Sequence, residues 1–239
     1  MQGILYFHVP KCGGSSFGAA LRLRFLFSQA SVSPRKMARP RPENPNRTNT
    51  SAQISACYEA RHLRLTQLLM QGTRCITGHM RYCPNLHDRL AVDYAHVTLL
   101  RDPVTRFVSH YRYLQRHHPD PNRAKTLDAF LDSPDATRIG SQFLFHFGGA
   151  ASDQDQDQDQ AITRAKLALS RFDLVGDLGN PARFLTALRQ LVPGPLLHLH
   201  RNRAPPAQPI PEALQARIEQ ICAADITIYR AALALPQVA

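Results

Sequence analysis

Short apolar runs alternate along this chain with longer stretches of helical periodicity. Residues 4–9 (ILYFHV) are apolar almost throughout, as a strand covered on both faces should be. Residues 97–100 (VTLL) repeat that character, and 172–176 (FDLVG) and 196–199 (LLHL) are weaker versions. Residues 74–77 (RCIT) suggest a further short strand. Between these runs lie helices: 17–27, rich in Ala and Leu, and 54–70, with Leu63, Leu65, Leu68 and Leu69 on its apolar side. Pro103 opens another at a favoured first-turn position. From there Val104, Phe107, Val108, Tyr111 and Leu114 recur at three- and four-residue intervals. Residues 142–147, 161–169 and 182–191 also read as helices. Residues 210–233 read as one long C-terminal helix burying Leu214, Ile218, Ile221, Ile228 and Tyr229. The alternation predicts an α/β protein with a central, mostly parallel sheet flanked by helices.

Two stretches interrupt this order. Residues 31–51 (SVSPRKMARPRPENPNRTNTS) are dense in Pro, Asn and Arg and bury too little to offset their ordering cost, which predicts a mobile basic loop. Residues 153–160 are a DQ repeat, expected to be a solvated connector. At 239 residues the chain suits a single domain, 1–239, carrying these two excursions.

Charge narrows the partners. Lysine and arginine number 29 against 18 acids, a formal net charge of +11. That surplus favours nucleic acid, an acidic membrane surface, a polyanionic sugar or a phosphate-bearing ligand, without choosing among them. No apolar run reaches the 18 residues or so of a membrane span, and the N-terminus lacks the features of a signal peptide. The five scattered cysteines fit a reducing compartment better than a disulfide framework, so a cytoplasmic location is expected.

The first strand runs into His8-Val9-Pro10-Lys11-Cys12-Gly13-Gly14-Ser15-Ser16 ahead of a helix. Strand, glycine turn and helix N-terminus together make an anion cradle, with close backbone approach, inward N–H groups and a favourable helix dipole. Ser15 and Ser16 can cap the helix or donate hydroxyls, and Lys11 supplies a mobile positive charge. The order differs from the G-x-x-x-x-G-K-[ST] loop of nucleotide triphosphatases, because Lys11 precedes the glycines. That argues against ATP or GTP hydrolysis and still allows one anionic group on the loop.

The second strong strand ends in Leu99-Leu100-Arg101-Asp102-Pro103, with Ser109 about two turns into the following helix. Arg101 falls at a strand's C-terminal edge, where open α/β sheets place their ligands. A guanidinium and a hydroxyl make a good phosphate pair. Two anion sites at two strand ends imply a ligand with two separated anionic groups.

HVPKCGGSSF together with LLRDPVTRFVSHY resembles the PAPS-dependent sulfotransferases, in the carbohydrate branch that includes heparan sulfate 2-O-sulfotransferase. The resemblance implies a P-loop-like three-layer fold and transfer of a sulfuryl group from 3′-phosphoadenosine-5′-phosphosulfate (PAPS) to an acceptor hydroxyl, expected on a carbohydrate. It implies that Lys11, Cys12 (through its backbone), Gly13, Gly14, Ser15 and Ser16 hold the 5′ end of the donor, and that Arg101 and Ser109 hold its 3′-phosphate. In this branch a Gly-His pair between the two motifs carries the catalytic base, so the resemblance gives that role to His79 of Ile76-Thr77-Gly78-His79. Imidazole titrates near neutral pH and suits deprotonation of an attacking hydroxyl, and Lys11 would stabilise charge on the leaving group. Arg201 and Arg203 match a loop that closes over the donor in related enzymes. The chain departs from the family at Cys12, where Thr is frequent, and at Gly179-Asn180, where a Glu commonly follows the late strand.

Cys75, His79, Cys83 and His87 share a spacing of four and invite a zinc reading. Pro84 breaks, and Gly78 weakens, the helix that would align them. The mechanism demands no metal either, so none is expected. Two other functions compete with sulfuryl transfer: a basic nucleic-acid-binding protein using the Pro/Arg loop, and a small-molecule kinase of related fold, disfavoured by the missing G-K-[ST].

Overall fold

A computed structural model describes residues 3–32, 51–118, 120–121, 123–149, 157–192, 194–197 and 210–236. Five strands, β1 (Gly3–Phe7), β2 (Gln29–Val32), β3 (Cys75–Gly78), β4 (Tyr94–Leu100) and β5 (Leu174–Asp177), form one sheet in the order β2-β3-β1-β4-β5. Every pairing is parallel. The uniform apolarity of β1 follows from its central place. Ile4 and Tyr6 bury against one helical layer and Leu5 and Phe7 against the other.

The helices are α1 (Gly14–Arg24), α2 (Ser51–Met70), α3 (Pro84–Leu90), α4 (Pro103–His117), α5 (Leu127–Leu131), α6 (Pro134–Gly140), α7 (Gln142–Phe147), α8 (Gln158–Ser170), α9 (Pro181–Leu191), α10 (Glu212–Ile221) and α11 (Ala223–Leu233). One face of the sheet packs on Phe17, Ala20 and Leu21 of α1 and Phe184 and Leu188 of α9. The other packs on Leu65, Leu68 and Leu69 of α2, Phe143 and Phe147 of α7, Ala165 and Leu169 of α8, and Ile228 of α11. A third cluster lies beside the sheet, where α4 meets α5, α6 and α10 through Phe107, Phe130, Ile139 and Ile218. The α/β architecture expected from the alternation is present, in the three layers that the resemblance implies.

Several local expectations are corrected. The segment expected to form a loop from residue 31 begins inside β2, since Ser31 and Val32 pair with Thr77 and Gly78. A four-residue edge strand with little apolar content takes its order from the ladder, a signal absent from its own sequence. Residues 33–50 lie outside the described residues, and residue 51 opens α2. The DQ stretch is not connector throughout: the Asp157 carboxylate caps α8 by accepting from the Asp159 N–H at 3.0 Å, and residues 158–160 are helical. Residues 153–156 lie outside the described residues.

The expected single C-terminal helix is two, parted at Cys222. Ile218 and Cys222 belong to the cluster with α4 and α6, whereas Ile228 and Ala232 join the core against the sheet. One straight helix cannot bury both sets. Leu196 and Leu197 form no strand, and Leu196 instead fills the core beneath α9; residues 198 and 199 lie outside the described residues. Pro84, read from the sequence as a breaker, occupies the first turn of α3. Among the described residues no helix is long and apolar enough to cross a membrane.

Candidate active site

With β1 central, the chain leaves it towards β2 and β3 on one side and β4 and β5 on the other. The C-terminal ends of β1 and β4 therefore flank the point where the strand order reverses, the usual ligand crevice of an open parallel sheet. Both expected anion motifs emerge there.

The β1–α1 loop has the backbone of an anion cradle. Lys11 has φ +68°, the one positive value outside glycine among the described residues, and Gly13 follows at +73°. Such a conformation for a lysine costs about 1–3 kcal/mol and persists where surrounding structure enforces it. Gly13 is the N-cap of α1 and supplies no side-chain cap to the helix. This corrects the expectation that Ser15 or Ser16 caps the helix. Both lie within its first turn, Ser15 exposed and Ser16 buried at the edge of a groove of about 270 Å³ shared with Arg22, Leu23, Leu26 and Leu197. Cys12 turns its side chain into the core, with Sγ 3.8 Å from the Pro10 carbonyl. Burial pushes its thiol up to about 12, so only its backbone can meet a ligand.

Arg101, just beyond β4, reaches this loop. Its Nη1 donates to the Lys11 carbonyl at 3.4 Å and its Nε to Thr105 Oγ1 at 3.2 Å. Asp102 caps α4 by accepting from the Thr105 N–H at 2.9 Å. Ser109, half-buried, lies one helical turn beyond Thr105 on the same side of α4. Lys11 Nζ sits 4.2 Å from the centre of the Tyr113 ring, an α4 residue one further turn along. Burial lowers the Lys11 pKa, and Arg101 and Arg116 lower it further. Burial likewise lowers that of Arg101. Half-buried cations beside a left-handed loop fit a polyanionic ligand, whose charge would offset their burial and the repulsion that Arg101 and Arg116 exert on Lys11. The crevice thus presents two places suited to anionic groups: the loop from Lys11 to Ser16, and Arg101 with Ser109.

His79 enters from β3. Gly78 ends the strand at φ +154°, and a Cβ there would lie 2.1 Å from the Val32 carbonyl oxygen. The His79 N–H donates to that same carbonyl at 3.2 Å. The imidazole stacks on His8 at 4.4 Å between ring centres, and its Nδ1 finds no partner among the described residues. Burial is the main cause lowering the His79 pKa to about 4; Arg61 adds to it, and a hydrogen bond to the His8 backbone opposes it. Arg61, 4.1 Å over the Tyr58 ring, donates from Nη1 to the His79 carbonyl at 3.3 Å. The ring is thus neutral near pH 7, the state a proton acceptor needs.

Other imidazoles close the site. His110 of α4 is buried, its Nδ1 unpartnered among the described residues, and its pKa is held far down by burial, Arg106, Arg138, Lys11 and His79. His146 of α7 fixes Nδ1 on the Met80 carbonyl at 2.7 Å. Neither was singled out from the sequence, nor was His8; the adjacency of His8 to the glycine loop and of His110 to Ser109 was the available signal. Arg201 and Arg203, with His198 and His200, lie outside the described residues. His117 and His118 are exposed at the end of α4. Of the four residues of the zinc-like spacing, Cys75 is within β3, Cys83 is the N-cap of α3, and His87 turns its Nδ1 back on the Cys83 backbone; among the described residues no three His, Cys, Asp or Glu side chains are grouped to hold a metal ion.

Over 121 residues the chain is 29% identical to heparan-sulfate 6-O-sulfotransferase 1 of Gallus gallus, a stretch covering 47% of this chain and 28% of that protein. The chain thus spans little over a quarter of the relative's length. The model of the sulfotransferase family matches residues 1–167, which include β1, the glycine loop, His79, Arg101 and Ser109. With well over half its length under that match, and both anion motifs meeting at one crevice, the chain belongs to the sulfotransferase family.

Proposed function

We propose that this protein transfers a sulfuryl group from PAPS to a hydroxyl of a carbohydrate, with His79 as the base. The observation that carries the reading is the meeting of the two motifs: Arg101 touches the Lys11 carbonyl while His79 stands beside the same loop through His8. PAPS supplies the sulfuryl group, with 3′-phosphoadenosine-5′-phosphate (PAP) as the other product.

The chain's own residues divide the work. The Lys11–Ser16 loop binds the 5′ end through backbone N–H groups, and Lys11 offers its ammonium to the charge that develops on the leaving oxygen. Arg101 and Ser109 bind the 3′-phosphate, and Arg201 and Arg203 are assigned to the same donor. His79 takes the acceptor hydroxyl's proton as it attacks, and its neutral ring is ready to do so. Anionic charge bound at Lys11 and Arg101 favours the protonated imidazole, strengthening the base once the donor is in place. The basic surface suits an acidic glycan acceptor, which the heparan-sulfate relative also supports. Five free cysteines suit a reducing location.

A thermal-shift comparison tests the reading. PAP should raise the Tm by several degrees at 100-fold excess over its Kd, whereas magnesium ATP should not. His79→Ala should abolish transfer to N-sulfated heparosan while retaining PAP binding. Disaccharide analysis of the product then distinguishes a 2-O from a 6-O position. A Tm raised by magnesium ATP and not by PAP would overturn the assignment.

A further inference from the structure

His8 and His79 follow the last pair of the β1–β3 ladder. Phe7 pairs with Gly78 in the parallel register, and the His8 N–H donates to the Gly78 carbonyl at 2.8 Å, which holds the start of the loop beside the end of β3. The two imidazoles lie face to face, 4.4 Å between centres and 26° between planes. His8 also meets the first residue of α1: a Cβ on Gly14 would fall 1.9 Å from His8 Cδ2. Gly14 is glycine because this ring occupies the place of its side chain. His8 is thereby wedged between the anion loop's helix and the base.

The groups around the pair come from six elements. Arg61 of α2 and the His8 backbone act on His79; His79, His146 of α7, Arg22 of α1 and Lys11 of the loop act on His8; and His79 acts in turn on His110 of α4. None of these is a carboxylate. Burial holds the His8 ring neutral, and the surrounding groups act in the same direction.

We propose that His8 is a positioning residue for the base, its ring plane fixing the orientation and place of the His79 imidazole relative to the Lys11–Ser16 loop. This rests on His79 as the base. What the position requires is a flat ring held by Gly14 and by the bond from the His8 N–H to the Gly78 carbonyl; the proton chemistry of His8 itself is not used. Phenylalanine can supply that plane and alanine cannot.

The test compares wild type, His8→Ala and His8→Phe, uniformly labelled with ring-¹³C histidine, the His79 signal being identified by its loss in His79→Gln. His8→Ala should broaden the His79 signal and move its titration midpoint upward by about one pH unit as water enters, with His8→Phe within about half a unit of wild type. With PAPS and N-sulfated heparosan, His8→Ala should lower kcat by about 10–100-fold while PAP affinity stays within about twofold. His8→Phe should recover kcat to within about threefold of wild type. A His79 signal and kcat unmoved by His8→Ala would overturn the proposal, as would equal losses in the Phe and Ala variants. Failure of wild type to bind PAP would instead strike the sulfotransferase reading, and the nucleotide-free resonance measurement would still decide whether His8 sets the His79 ring.

Discussion

Arg101 Nη1 lies 3.4 Å from the carbonyl oxygen of Lys11, across 90 residues of sequence. The contact joins the loop after β1 to the loop after β4 at the sheet's reversal point. It also means that the two cations depend on one another: Arg101 lowers the proton affinity of Lys11, and an anion bound at either relieves both.

Removal of each cation should therefore have a different signature. Arg101→Ala should weaken PAP binding by about 10–100-fold, the worth of a charge-assisted hydrogen-bond pair of about 1.5–3 kcal/mol. Lys11→Ala should reduce kcat more than it reduces PAP affinity, because the role proposed for its ammonium is to meet charge that grows during transfer. Calorimetry with PAP and initial rates separate the two; equal effects on binding and kcat for both variants would contradict this division.

Gly14→Ala should be far more damaging than a helix N-terminal Gly-to-Ala change ordinarily is. The new methyl would meet the His8 ring at 1.9 Å, and that ring cannot withdraw without displacing His79. Overpacking of this kind costs about 1–3 kcal/mol. Chemical denaturation should register that loss, and transfer activity should fall beyond it. A variant as stable and active as wild type would mean His8 is free to move.

Acid should destabilise the fold early. His8, His79, His87, His96, His110 and His146 all have lowered pKa values, with burial the leading cause in each. In the unfolded chain these imidazoles take up protons near pH 6.5, whereas the folded state resists until far lower, about 4 for His79 and about 3 for His87 and His146. Between those limits the unfolded state binds more protons, so stability falls as pH drops. Asp225, pushed up to about 6 chiefly by burial, works the other way and offsets one of them. The Tm should be level above pH 7 and decline steeply from pH 6.5 to 5 in calorimetry. A Tm unchanged over that interval would show that these rings are hydrated.

Asp225→Ala should be among the costliest single changes. Its carboxylate accepts from the Phe143 and Leu144 N–H groups at the start of α7 and from Arg106 Nη2 at 3.3 Å. Arg106 is fully buried, and its Nε and Nη1 find no partner among the described residues. Without Asp225 the guanidinium is an unpaired buried charge, a loss of about 3–5 kcal/mol measurable as a lower urea midpoint. The double variant with Arg106→Met should recover part of it.

The amino-acid sequence by itself determined the sheet's central strands, because β1 and β4 are buried on both faces and are largely apolar along their length. It also determined the anion loop, since a left-handed turn running into a helix requires small residues wherever the backbone must come close. Tertiary structure alone decided the rest. β2 exists because β3 offers it a ladder, and the C-terminal helix breaks at Cys222 because its two halves bury against different neighbours. His8 became legible only in the assembled sheet: the end of β1 beside the end of β3 brings its ring against His79, and the space left by a missing Cβ on Gly14 keeps it there. Local patterns report which groups a segment must bury or expose. Which distant side chain fills the space beside them depends on strand pairing, a property of the assembled chain.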